Sequence, residues 1–387
     1  MAQATFEFET PAPRTRPDAT GFELGWDHAH HGVVPPAEHL HPGNPLRQGW
    51  EAGKAVFGRR TLQATRTVRQ WLQLRLGAWL RGRVFEATAV TPNYLAQIDV
   101  ARCPITRRAL SHSTGGPDDA SVDRVLDAAG YAAGNLAVMG SAANQAKGAC
   151  GWQDAFERAQ RIEADPAHAL IAGLDAAEWS RLAVLMSFVT ALPHEQAARL
   201  PLRLLPPNRL RLLNPVQGLQ ALVTWLLADP GWSALIRRLA ERLPGDALRH
   251  DFSLFVNAMV PRLIAARRSS APLALRDALE DAWADELVNR RWQRFALQLD
   301  ETRIETLLPH AAALLPAGRR ALALSRQQAT EGWALATGGR VDAVAEAVAE
   351  AADWPAATMP RRALRRPGAD PAPAHTVAAD RSPVTDR

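Results

Sequence analysis

The chain has 387 residues, 47% of them apolar, with 12 Trp against 2 Tyr and a formal net charge of +5 at pH 7. Its length is enough to bury a large core, in two domains or in one with appendages, and its heavy use of Ala, Leu and Arg is that of a helix-rich protein. A charge excess this small does not by itself imply nucleic acid, and two cysteines, Cys103 and Cys150, are too few for a secreted disulfide framework and indicate a reducing compartment. The first residues, with Glu7 and Glu9, lack the basic start and apolar stretch of a signal peptide, and the longest apolar region, 182–192, is too short to span a bilayer. A cytoplasmic protein with no membrane contact is expected.

Residues 1–48, rich in proline and without sustained periodicity, read as an extended arm. The arm holds five of the eleven histidines, His28, His30, His31, His39 and His41. On an extended chain His28 and His30 share one side, as do His39 and His41, which suits either an N/O metal site or an arm packing half-buried histidines across a domain. The pattern then turns helical. Val68, Trp71, Leu72, Leu76, Trp79 and Leu80 recur at steps of three and four and predict an amphipathic helix over 65–84. A basic run from Lys54 to Arg108 is opposed only by Glu86 and Asp99. Within it Arg66 and Arg81 point away from the apolar stripe and are candidate phosphate contacts; solvated arginines on a packing helix are the other account. Thr91-Pro92 breaks the helix.

The basic run leads into residues 103–149, the one stretch whose residue types suggest chemistry: Cys103-Pro104, Ser121-Val-Asp123-Arg124, Gly130-Tyr131, Gly134-Asn135, and Asn144 with Lys147. This ordered set resembles the ββα-metal module of HNH endonucleases in a divergent Asp-Arg form. The resemblance implies strands near 121–125 and 136–139 followed by a short helix. It also implies Asp123 and Asn144 as ligands of one divalent cation, Mg or Mn, which polarises a phosphodiester. Asn135 would hold the loop, with Tyr131 and Cys103 as further structural positions, and Lys147 would join the nucleic-acid contacts. The departures are informative. The histidine that serves as base in the active form is replaced by Arg124, which stays charged and cannot take a proton; it would contact phosphate instead, leaving the metal or His112, in the preceding loop, to activate water. Of four zinc-knuckle positions only Cys103 remains, because Thr106, Gly140 and Ala143 stand at the others, so a Cys₄ zinc knuckle is excluded. A turn-rich hairpin and helix, with Asp and Asn as caps, accounts for the same residues without chemistry.

From residue 151 helical segments alternate with prolines, at 179–192, 217–227, 232–243, 252–266, 273–295, 304–315 and 321–337. Pro261 should kink or split its helix, the tryptophans should be core anchors, and a last helix is expected over 341–352. Beyond Trp354 a basic segment with Arg361, Arg362, Arg365 and Arg366 has too few large apolar residues to fold. The expected fold is therefore mainly α and multi-helical, with a small ββα module in the first third: arm 1–48, helical region with module 49–150, helical domain 151–353 and tail 354–387. Two functions fit. One is a DNA- or RNA-binding protein whose HNH-like unit is a working or inactive metal-dependent phosphodiesterase. The other is a non-catalytic helical interaction protein that meets a protein partner through its C-terminal helices and keeps the ββα unit only as structure.

Overall fold

Glycine sets the distance between the first two helices, α1 (Arg16–His30) and α2 (Pro45–Phe57). A Cβ at Gly25 would fall 1.9 Å from Leu46 O, and one at Gly49 would fall 1.9 Å from Phe22 O, so the backbones touch where only hydrogen fits. The computed structural model describes residues 16–165, 169–268, 273–315 and 331–341. Where the sequence suggested an extended arm, it has a helical hairpin. The reason is the spacing Gly21-x-x-x-Gly25 against Gly49-x-x-x-Gly53: the contact face is made of glycines, which carry no apolar signal and are poor helix formers.

That helix also redistributes the histidines, because a helical turn separates neighbours that an extended chain would align. His28 is buried and its Nδ1–H donates to Leu24 O at 2.8 Å. The His30 ring stacks on Phe57 with centroids 4.4 Å apart, and His31 meets the edge of Trp71. Among the described residues no group of three or more His, Cys, Asp or Glu side chains is placed to hold a metal ion.

Helix α3 (Arg66–Leu80) starts at Thr65, whose Oγ1 accepts from Val68 N, and stops short of the expected end because Arg81 and Gly82 turn the chain. Its apolar stripe is buried at Val68, Trp71, Leu72 and Leu76, but Leu80 is exposed. Arg75 goes inward, pairing with Asp27 of α1 and lying over the Trp71 ring at 4.6 Å. Thr91 ends one segment and caps the next, α4 (Pro92–Ile98), accepting from Tyr94 N, with proline at the first helical position.

Strands β1 (Ala120–Arg124) and β2 (Leu136–Gly140) pair antiparallel with Val122 opposite Val138, and α5 (Ser141–Lys147) follows β2 directly. Every residue of β2 is buried. Its alternate side chains serve different cores: Leu136 and Val138 join the cluster of α1, α3 and α4, whereas Ala137 and Met139 join the larger cluster of the later helices.

The later helices are α6 (Trp152–Ala164), α7 (Ala176–Phe188), α8 (His194–Arg199), α9 (Pro215–Ala228), α10 (Trp232–Ala240), α11 (Asp246–Ala266), α12 (Ala274–Ala282), α13 (Glu286–Ala296) and α14 (Glu301–Ala313). The segment expected as one helix over 273–295 is two, because Asp285 accepts from Leu287 N and Val288 N and starts α13 anew. Pro261 does not split α11. Helix α9 is buried almost throughout, and most of its polar side-chain atoms are satisfied internally: Gln217 donates to Ser187 Oγ, Gln220 Nε2 to Leu200 O, and Thr224 accepts from Trp283 Nε1, whereas Gln220 Oε1 has no partner among the described residues. Trp179, Trp283, Trp292 and Trp333 are fully buried core anchors, as expected. In place of the end of a helix over 321–337, residues 331–337 form two 3₁₀ turns, Glu331–Trp333 and Leu335–Thr337. The helix expected over 341–352 and the tail 354–387 lie outside the described residues, apart from Val341. The protein is thus mainly helical, with one small antiparallel pair of strands among the described residues. Among the described residues no helix is long and apolar enough to cross a membrane.

Candidate functional site

Asp123 is the fourth residue of β1 and Asn144 lies one turn into α5, so the strand and helix bring them to one side of the ββα unit. A third side chain arrives with them. Lys147, from the last turn of α5, donates from Nζ to Asp123 Oδ1 at 3.2 Å and to Arg124 O at 3.0 Å. Asp123 Oδ2 lies 3.1 Å from the same ammonium, in ion-pair contact but without hydrogen-bond geometry. Both side chains are buried, Lys147 with 1% of its surface exposed. Burial pushes the Asp123 carboxyl up to about 6, opposed first by Lys147 and then by Arg124. Asn144 spends its amide on Ser121 Oγ at 2.8 Å. Lys147 therefore cannot serve as a phosphate contact from solution: the helix turns it onto Asp123, since i and i+3 share a face with Asn144.

Arg124 is committed to its own loop. Its Nη1 donates to Asp127 O at 2.8 Å and Ala129 O at 3.0 Å, its Nη2 pairs with Asp127, and the guanidinium lies 5.0 Å from the centre of the Tyr131 ring. Asn135 closes the same loop from within. Fully buried, it accepts from Leu126 N and donates to Leu126 O and Gly130 O. The Tyr131 hydroxyl accepts from Arg81 Nη2 at 2.9 Å.

The four knuckle positions also come together. Cys103 is wholly buried, and its Sγ accepts from Thr106 N at 3.4 Å and from Gly140 N at 3.3 Å, while Ala143 is buried one turn into the helix that Gly140 starts. Both cysteines are free thiols.

His112 is exposed in the loop before β1 and contacts Arg66, with Nη1 3.0 Å from Nδ1; Arg66 also pairs with Asp99. Much of the basic run is neutralised in the same way, by acids distant in sequence. Arg102 makes two bonds of 2.9 Å to Asp277, and Arg107 reaches Glu280 at 3.1 Å and Asp281 at 2.9 Å, all on α12. Arg108 pairs with Asp118. Exposed Arg59, Arg60 and Arg69 have no side-chain partner among the described residues.

Sequence reasoning missed a cavity of about 580 Å³ between α1 and α3, lined by Trp26, Asp27, Trp71 and Arg75. Its walls come from a segment expected to be an arm, and no local pattern announces it. Comparison with family models, with curated proteins and with solved structures finds no match for this chain.

Proposed function

We propose that the ββα unit is a structural joint derived from an HNH-like module, and that the chain acts by binding and not by phosphodiester hydrolysis. The observation that carries this reading is Lys147 seated on Asp123. A hard cation needs unoccupied oxygen ligands; here the carboxylate is neutralised by an internal ammonium, and Asn144, whose amide N–H is held by Ser121 Oγ, offers only its Oδ1, so the donor set does not fit a metal and no catalytic step is routed through one. Arg124 offers no base and no free phosphate contact. The joint has a mechanical task instead: β2 packs into both cores, and Arg102 and Arg107 pin the preceding loop to α12. The partner in this reading is a protein that meets the C-terminal helices.

A second reading, binding of DNA or RNA, is favoured by the exposed arginines Arg59, Arg60 and Arg69 between α2 and the first turn of α3, and by the convergence of Cys103, Thr106 and Gly140 in the pattern of a lost zinc knuckle. One experiment separates hydrolysis from the proposal. The purified chain is incubated with plasmid and single-stranded substrates in Mg²⁺, Mn²⁺ or chelator; no cleavage is expected. Metal-dependent cleavage that disappears in Asp123→Ala overturns the structural reading. Salt-sensitive binding weakened by charge reversal at Arg59, Arg60 and Arg69 would select the second.

A further inference from the structure

A cavity of about 390 Å³ opens beside the loop that follows β1, walled in part by Arg83, Asp127, Cys150, Trp152 and Arg340. Charge is unequal at this wall. Asp127 is shared by Arg124, which holds Oδ1, and Arg83, which reaches Oδ2 at 3.5 Å. Arg340 lies opposite Arg83 in an isolated backbone bridge, is exposed, and has no side-chain partner among the described residues. Three guanidiniums thus face one carboxylate. Burial lowers the Arg83 pKa, with the nearness of Arg124 and Arg340 adding to it and Asp127 opposing it. Arginine does not shed its proton at neutral pH, so the excess positive charge persists and would attract an anion.

A second feature is independent of charge. Trp152 is 6% exposed, and its indole N–H has no acceptor among the described residues; a buried donor without a partner is uncommon. Burial pushes the Cys150 thiol up, so it stays neutral and does not repel an anion. The start of α6 contributes little, because the Gly151 N–H is taken by Asp154 at 2.8 Å. Val125, Leu126 and Met186 supply an apolar wall.

We propose that this cavity binds an organic phosphate of mononucleotide size, with the Arg340 fork on the phosphate, Arg83, whose Nη1 is held by Gly338 O at 2.9 Å, adding its charge from the wall, the Trp152 indole N–H on one of the phosphate oxygens, and the apolar wall against the ring. Guanidinium forks match phosphate oxygens in pairs, and the volume suits a small ligand. This site shares Arg124 and Asp127 with the surroundings of Asp123 but uses none of Asp123, Asn144 and Lys147, and does not depend on the fate of hydrolysis there.

The test is calorimetric titration of the full chain at fixed ionic strength with adenosine monophosphate, adenosine and inorganic phosphate. Adenosine monophosphate is expected to bind and raise the melting temperature, with adenosine and inorganic phosphate each weaker by about tenfold or more. Arg340→Ala removes an exposed, unpartnered side chain and Trp152→Phe keeps the ring while deleting the N–H. Each should weaken the monophosphate by about tenfold while leaving far-ultraviolet dichroism and melting of the free protein unchanged. Absence of monophosphate binding, equal binding of adenosine, equal binding of inorganic phosphate, or unchanged affinity in both folded variants would each overturn the assignment.

Discussion

Lys147 and Asp123 form a buried ion pair across the ββα unit, Nζ to Oδ2 at 3.1 Å, joining the last turn of α5 to the end of β1. A pair so enclosed gains its Coulomb energy against a large desolvation cost, and removing one member leaves the other buried without its partner. Lys147→Met should therefore destabilise the fold by about 3–5 kcal/mol, and adding Asp123→Leu should restore much of that loss. Denaturant unfolding of the single and double variants checks this; a double variant no more stable than the single would argue against the pair as the source.

The Asp123 carboxyl titrates in the folded chain at about 6, above the ordinary carboxylate value of 3.8. The folded state then holds the proton more tightly than the unfolded state. Its stabilising contribution is complete below the unfolded value and is lost as pH rises through about 6. Carbon-detected titration of the Asp123 carboxyl, assigned by Asp123→Asn, should show a midpoint near 6; an ordinary midpoint would mean that the side chain is far more hydrated than its burial indicates.

Contact between α1 and α2 has no room for a methyl group. Gly25→Ala and Gly49→Ala each place a Cβ against a backbone carbonyl that cannot move aside, and should cost about 1–3 kcal/mol or more. Gly77→Ala in α3 meets first the Arg81 guanidinium, the far end of a flexible side chain, and should be neutral or stabilising by up to about 1 kcal/mol. Thermal melts of the three variants decide it, and equal losses at all three would remove the argument from backbone proximity.

Glu280 is 2% exposed and is held by Arg107, by Arg276 and by the Leu205 N–H. Arg107→Met removes one charge partner from Glu280 and both of the bonds that Arg107 makes to Asp281. A loss of about 2–4 kcal/mol is expected. Hydrogen exchange should show faster opening in both 103–110 and α12; a change confined to one of them would mean that the clamp does not couple them.

Asn135→Ala should cost about 2–4 kcal/mol, because it strips acceptors and donors from the buried loop at Leu126 and Gly130 together. Asn135→Asp keeps the acceptor for Leu126 N but turns the two donated bonds into repulsion with carbonyl oxygens, so it should be no better tolerated. Recovery of stability by Asp, measured by urea unfolding, would contradict the assigned orientation of the amide.

The sequence alone determined the features written in short-range pattern. Apolar steps of three and four gave most of α3, helical segments between prolines gave most of α7, α9 and α14, and the ordered motif of 121–147 placed β1, β2 and α5 with small errors at their ends. Periodicity is a local property and survives without knowledge of partners. Tertiary structure decided what those residues do. A glycine face became a close backbone-to-backbone helix contact because closeness depends on the opposite backbone, which the sequence of α1 does not mention. Arginines that read as an uncompensated run found acids on α12 more than 160 residues away. Lys147 read as a nucleic-acid contact, yet folding placed it on Asp123 and away from water, because charge pairing over long separations is set by how the strands and helices dock and not by local composition.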